Sequence, residues 1–467
     1  MRTSYPKSLL WAAAVLGVAG CSLFSTDDGS AEARPHDVLQ GGETTVFDEG
    51  VNAFSLSARN LDPADKDRFF IGNSLFNNNW VTPPSATTAR DGLGPLFNAR
   101  SCSACHFKDG RGRPPEAGED LVSMLFRLSV PGTASDGGPN PDPMYGGQLS
   151  GNAVLGAGAE GRAVVEYFQA VSAYPDGTPY TLLMPKYHIE KWGYGEPDAS
   201  LLISPRVAPA MIGMGLLESI PEADILARAD ADDADHDGIS GRANYVHDLR
   251  SGQARLGRFG WKANQPSVEQ QVAGAFAGDI GITSSLVTGD NTTAAEKLDT
   301  LPNGGTPEIE DADLADVVGY SRVLAVPARR NWQDPQVQRG GIQFDKAGCA
   351  ACHVREQRTS PDALPLALAG QRIHPYTDLL LHDMGDSLSD GRPDFLAAGN
   401  EWRTPPLWGV GLVQAVNGHT RFLHDGRARS LEEAVLWHGG EAAASRKRFQ
   451  DMTSEDRRAL ISFLNSL

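Results

Sequence analysis

Two short stretches decide the reading: Cys102-Ser-Ala-Cys105-His106 and Cys349-Ala-Ala-Cys352-His353. Each sets two thiols one helical turn apart, with a histidine directly after the second. That spacing reaches the two vinyl groups of one haem and places the histidine under the iron as proximal ligand. A zinc site would need both pairs folded together, and no other cysteine or His-x-x-x-His pair completes either one. A redox C-x-x-C would not explain the following histidine twice. The sequence therefore predicts two covalent haem c groups, held by Cys102, Cys105 and His106 and by Cys349, Cys352 and His353.

The fifth cysteine, Cys21, belongs to the N-terminus. Arg2 and Lys7 precede an apolar run, 9–19, that ends Val18-Ala19-Gly20-Cys21. A basic start and a short apolar core read as an export signal, and small residues before a cysteine resemble a bacterial lipobox. Residues 1–20 are expected to be the leader, Cys21 the lipidated N-terminus, and 21–45, polar and rich in Gly, Asp and Thr, a flexible tether. Ser22 fits outer-membrane sorting, so the expected location is the periplasmic side of the outer membrane, reached through the lipid alone. The 467 residues carry 41 basic and 59 acidic side chains, net −18. Such a surface repels nucleic acid and suits a basic protein partner.

The chain also repeats itself. Pro209-Ala-Met-Ile-Gly-Met-Gly-Leu-Leu217 aligns with Pro405-Pro-Leu-Trp-Gly-Val-Gly-Leu-Val413, and the segment from Phe259 to Val272 aligns with that from Phe422 to Val435. Val317, Val318, Tyr320 and Leu324 match Leu460, Ile461, Phe463 and Leu467, apolar positions at helical spacing that read as a closing helix of each half. The expected fold is mainly α: two cytochrome-c-like haem domains related by internal duplication, at 46–327 and 328–467. A Gly-rich insertion at 110–200 adds a small β portion, with strands near 121–130 and 180–188.

These features resemble the bacterial di-haem cytochrome c peroxidases. The segments Gly72-Asn-Ser-Leu-Phe-Asn77, Asp237-Gly-Ile-Ser-Gly-Arg242, Arg258-Phe-Gly-Trp-Lys262 and Glu401-Trp-Arg-Thr-Pro-Pro-Leu-Trp408 are similar, more closely, to the related di-haem oxidoreductases. Some of those are labelled thiol oxidoreductases, a label this chain does not support because no cysteine remains for thiol chemistry. The resemblance implies a far-side ligand of the second haem fourteen residues after His424, which is His438. Ala275 holds the matching position in the first half and cannot ligate iron, so the first haem is expected to stay open. The resemblance also implies Trp261 between the haems and Gln271 and an acid–base carboxylate over a peroxide site. The nearest carboxylate is Asp279, two residues early and shorter than the usual Glu. Electrons would come from a small periplasmic cytochrome or copper protein, enter at the second haem and reduce peroxide at the first. Three rivals are an oxidase of another substrate, with access reshaped by the insertion, an electron carrier without catalysis, and a haem-bearing binding subunit of a metal-uptake system.

Other signals leave alternatives open. Asp233, Asp235, Asp237 and Ile239 have the spacing of a calcium loop with a glycine at the sharp turn, but position twelve is Asn244, and an Asp-rich turn needs no ion. Met384 is the rival to His438 as iron ligand. Arg111 and Arg113 are candidates for haem propionates or are solvated loop charges.

Overall fold

The computed structural model describes residues 35–87, 89–116 and 118–467. The leader, Cys21 and the first part of the tether lie outside the described residues. The end of the expected tether is part of the fold: Gln40, Thr44 and Thr45 are buried, the Gln40 carbonyl accepts from His374 N at 2.8 Å, and Val46 bridges to Pro327.

Matching segments of the two halves take the same local structure. Each half closes on a 13-residue helix, Asp311–Val323 and Ser454–Ser466. An earlier helix crosses it, Pro63–Asn77 in the first half and Pro335–Lys346 in the second. Both earlier helices begin with a proline behind an aspartate, Asp62 or Asp334, whose carboxylate accepts from the first turn, an arrangement that satisfies a free N–H and pre-sets φ. Both crossings are made at a glycine. A Cβ on Gly72 would lie 2.2 Å from the Asp316 carbonyl oxygen, and one on Gly340 would lie 1.9 Å from that of Ala459. Asp316 and Ala459 are themselves matched positions of the repeat.

The halves meet reciprocally. Gly213 and Gly409 both take a left-handed φ, 71° and 72°. A Cβ on Gly213 would strike Trp408 at 2.2 Å, and one on Gly409 would strike Ile212 at 2.7 Å. Since Ile212 and Trp408 are matched residues, each half presents its glycine to the other's side chain. A shared core around Phe54, Phe76, Leu216, Phe276, Tyr320, Trp408 and Leu412 spans this junction.

The expectation of a mainly α protein is corrected: 28% of residues are helical and 19% are in strands. Among the described residues the strands form one three-stranded and five two-stranded sheets. The longest pair, Arg162–Ala173 with Pro179–Glu190, runs in unbroken antiparallel register from Arg162↔Glu190 to Ala173↔Pro179. A second pair joins Met124–Thr133 to Leu202–Val207. The physical reason is that the helices surrounding the two cavities are short, while the insertion and the loops pair with one another as ribbons.

This hairpin does not stay with the first half. Its Leu183 N donates to Glu433 Oε1 at 2.6 Å, Tyr174 OH to Glu432 Oε1 at 2.6 Å, and Tyr187 OH to Asp425 Oδ2 at 2.7 Å. Arg457 grips Asp176 beside its turn at 2.6 Å. The insertion thus clasps the helix Leu431–Trp437, which ends at His438.

Candidate functional site

The first thiol pair lies on a one-turn helix, Cys102–Cys105, and the second on a 3-10 turn, Cys349–Ala351. Each following histidine is oriented by a backbone carbonyl. His106 Nδ1 is 2.8 Å from Pro209 O, and His353 Nδ1 is 2.9 Å from Tyr376 O. His438 repeats this device, with Nδ1 2.8 Å from Ala434 O. A carbonyl can only accept, so Nδ1 carries the proton in all three and the Nε2 lone pair is left free for a metal. Burial lowers the pKa of all three rings, that of His353 to about 4. They are neutral at physiological pH, the form that ligates iron.

Two adjoining cavities receive these rings. The first is lined by Cys102, Cys105 and His106, and by Gln271, Ala275 and Asp279. The second is lined by Cys349, Cys352, His353, Met384 and His438. Trp261, Arg111 and Arg403 line both and stand between them. The Trp261 indole N–H donates to Val207 O at 2.8 Å, and the Arg111 guanidinium lies over its ring, 5.1 Å from the centroid.

Helix Val268–Ala275, capped by Ser267, carries Gln271 and Ala275, and the wider π-helical turn Phe276–Ile280 carries Asp279. Asp279 exposes part of its surface to the cavity yet sits deep in the protein. This desolvation raises its pKa, against the opposing pull of Arg127, of a 2.9 Å hydrogen bond from Gln148 Nε2 to Oδ1, and of His106. A carboxyl shifted upward in a cleft is suited to taking and returning a proton.

A family model described as "Di-haem oxidoreductase, putative peroxidase" matches residues 36–467. The chain belongs to that family. Among solved structures, the di-haem oxidoreductase is similar to a Kuenenia stuttgartiensis hydrazine synthase pressurised with xenon, at 13% identity over 88% of this chain and 94% of that one. The TM-score is 0.31, and so weak a likeness carries no argument. No curated protein matches.

Membership of the family implies haem cofactors, and the residues fit them. Besides the cysteines and the histidines with free Nε2, the di-haem oxidoreductase encloses two guanidiniums, Arg111 and Arg403, that form no salt bridge among the described residues, although Asp425 and Asp378 respectively favour their charge. Arg403 donates only to the Gly260 and Thr404 carbonyls, at 2.9 and 3.1 Å. Arg111 donates only to the Arg421 and Leu423 carbonyls from its side chain. Burial lowers both to about 10, still charged at neutral pH. Two enclosed cations facing both cavities are the complement that haem carboxylates require. Arg113 has no such role, because it pairs with Glu119 at 2.6 Å.

The acidic loop gathers Asp230, Asp233 and Asp235, whereas Asp237 Oδ1 turns back to accept from Ile239 N at 2.8 Å. Ile239 lines the second cavity. Asn244 is spent elsewhere, donating to the Lys262 and Asp394 carbonyls at 2.7 and 3.0 Å. Sequence reasoning missed Gln148 and Arg127, because nothing local ties the insertion to Asp279. Arg403 was within reach, since it lies inside the Glu401–Trp408 segment. His382 lines the second cavity between Asp378 and Glu441, at 2.8 and 2.6 Å. Burial opposes its charge, but Asp378, Cys352 and Glu441 together raise its pKa.

Proposed function

We propose that this di-haem oxidoreductase is a periplasm-facing peroxidase, anchored to the outer membrane by lipid at Cys21, which takes electrons from a small redox protein and reduces peroxide. When bound, the haems, attached through the two cysteine pairs, supply the iron centres that accept electrons and receive the peroxide. His106 and His353 would each supply a ligand to one haem, and His438 would supply a second ligand in the second cavity. Ala275, its counterpart in the repeat, has no donor atom and would leave the first cavity open to substrate. This His438–Ala275 difference between otherwise matched cavities is the observation that carries the reading.

Around the open side, Asp279 moves the proton. Gln148 engages Oδ1, which leaves Oδ2 to take a proton from the near peroxide oxygen and return it to the far one, so that O–O cleavage releases the far oxygen as water; two electrons from the redox partner and two protons from solvent then carry the remaining oxygen to a second water. Gln271, on the same wall, orients the peroxide. Trp261, fixed by Val207 and Arg111, fills the space between the cavities and shortens the path for electrons. Calcium, where bound, is held by the loop of Asp230, Asp233 and Asp235, with Asp237 shaping its turn.

The test is peroxide-dependent oxidation of a reduced small redox protein. Asp279→Ala should lower turnover by a factor on the order of 10²–10⁴, the usual contribution of acid–base catalysis, and leave both haem potentials unchanged. Wild-type protein that does not consume peroxide would overturn the reading.

A further inference from the structure

A second cluster of carboxyls lies away from both cavities. Glu160, at the foot of the long hairpin, and Glu296, in the loop that follows the Asp279 turn, are 0% and 5% exposed. Each has one oxygen pinned by a backbone N–H: Glu160 Oε2 by Ser150, and Glu296 Oε2 by Thr293 at 2.6 Å. The other oxygen of each, Oε1, is buried without a hydrogen-bond partner among the described residues, and so is the hydroxyl of Ser150, itself 1% exposed. The two carboxyls lie within hydrogen-bonding reach of each other, and the Ser150 hydroxyl within reach of Glu160, so that the facing carboxyl oxygens must share either a proton or a cation. No basic side chain is among the groups acting on either carboxyl; the further charged neighbour is Asp290, which is acidic too. The aromatic walls are Tyr145 and Tyr194, whose phenols feel both carboxyls.

Buried oxygens without partners are rare, because each forfeits its hydration for nothing. Three of them converging, two on carboxylates already oriented by the backbone and none offset by a cation, make an oxygen-only donor set of the kind hard cations take. We propose that Glu160, Glu296 and Ser150 form a calcium site, separate from the Asp230–Asp235 loop, with water or backbone oxygens completing the shell. The site ties the 144–150 stretch to the 290–296 loop, which already meet where Thr293 Oγ1 donates to Met144 O at 2.8 Å and Gly147 N to Asn291 Oδ1 at 3.1 Å. Gln148, which holds Asp279, directly follows Gly147, and its carbonyl accepts from Asn291 Nδ2 at 2.5 Å. The ion would therefore fix the support of the acid–base carboxyl without touching it. This inference does not depend on peroxide being the substrate.

The experiment is a calorimetric calcium titration of the chelator-treated full-length holoprotein as wild type, D233N/D235N, E160Q/E296Q and S150A. The loop variant D233N/D235N should keep one equivalent of calcium, and E160Q/E296Q should lose that equivalent. S150A keeps both carboxylates and should weaken this binding about tenfold or more, the low end of what loss of a supporting group costs a metal site. A loop variant that binds no calcium overturns the proposal, as does E160Q/E296Q binding as many equivalents as wild type; the carboxyls would then share a proton instead. Should E160Q/E296Q not fold, the loop variant and S150A still decide, and an unchanged Kd in S150A counts against the site.

Discussion

Replacing Gln148 by Leu removes the amide that donates to Asp279 Oδ1 at 2.9 Å while roughly keeping the volume of a fully buried side chain. That hydrogen bond favours the ionised carboxylate, so its loss must push the Asp279 pKa further in the direction burial already takes it. A hydrogen bond to a charged group contributes about 1.5–3 kcal/mol, and one pKa unit corresponds to about 1.4 kcal/mol. The expected rise is about one to two units. Ionised Asp279 is the proton acceptor, so activity is lost as pH falls through its pKa. The acid limb of kcat/KM for peroxide should therefore move up by about one to two pH units, with the high-pH plateau nearly unchanged. Arg127→Met should move the limb the same way, since its cation also favours the carboxylate. The assay is steady-state peroxide turnover across pH with a reduced small redox protein as donor. An acid limb at the wild-type pH in both variants would refute the assignment of Asp279. A plateau that falls uniformly with no displaced limb would show that Gln148 matters only for folding.

Three further outcomes are expected. Cys349→Ala with Cys352→Ala should leave one covalent haem per chain, read by intact mass and haem stain, because each C-x-x-C-H motif serves its own cavity. Asp425→Asn should destabilise the protein by about 3–5 kcal/mol in denaturant unfolding, since it strips a fully buried carboxylate from Arg427, 2.7 Å away, and loosens Tyr187 of the hairpin. Although burial works against it, Arg427 holds the Asp425 carboxyl below the usual range; its stabilisation is present above the ordinary carboxylate pKa and lost in acid, so the gap between wild type and variant should close as pH falls. Removing the carboxylates of Asp233, Asp235 and Asp237 together should reduce the calcium-dependent rise in Tm, a mass-action effect of a ligand bound to the native state.

Much of the site was legible because its chemistry is written in short, rigid spacings. Cys-x-x-Cys-His fixes two thioether positions and a ring within one turn, and the distance from His424 to His438 is set by one capped helix, Leu431–Trp437. The repeat was legible for the same reason. Its glycines at 213 and 409 and its closing helices obey local rules of φ and apolar periodicity, which survive without knowledge of partners. The strand content was legible only in part: the strands expected near 121–130 and 180–188 are found at Met124–Thr133 and Pro179–Glu190, and the others were not foreseen. Residues 162–173 acquire their structure only by pairing with 179–190, and the hairpin's grip on Glu432 and Glu433 joins residues some 250 apart in sequence. Gln148 and Arg127 likewise reach Asp279 only through tertiary contact. At the end of the expected tether, polarity alone does not reveal that the Gln40 carbonyl accepts from His374 N or that Gly42 lies against Gln371 and Arg372.

The central claim is that the two haem sites differ: the second closed by His438 and the first, opposite Ala275, open to substrate. The most direct measurement is the optical and electron paramagnetic resonance spectrum of the protein poised with one electron per molecule, before and after addition of cyanide. One low-spin, bis-histidine haem that ignores cyanide and one high-spin haem that binds it are predicted, with the low-spin signature converted to a His/Met type in His438→Met. Two six-coordinate low-spin haems at every redox level, neither binding cyanide, would contradict the claim and leave an electron carrier.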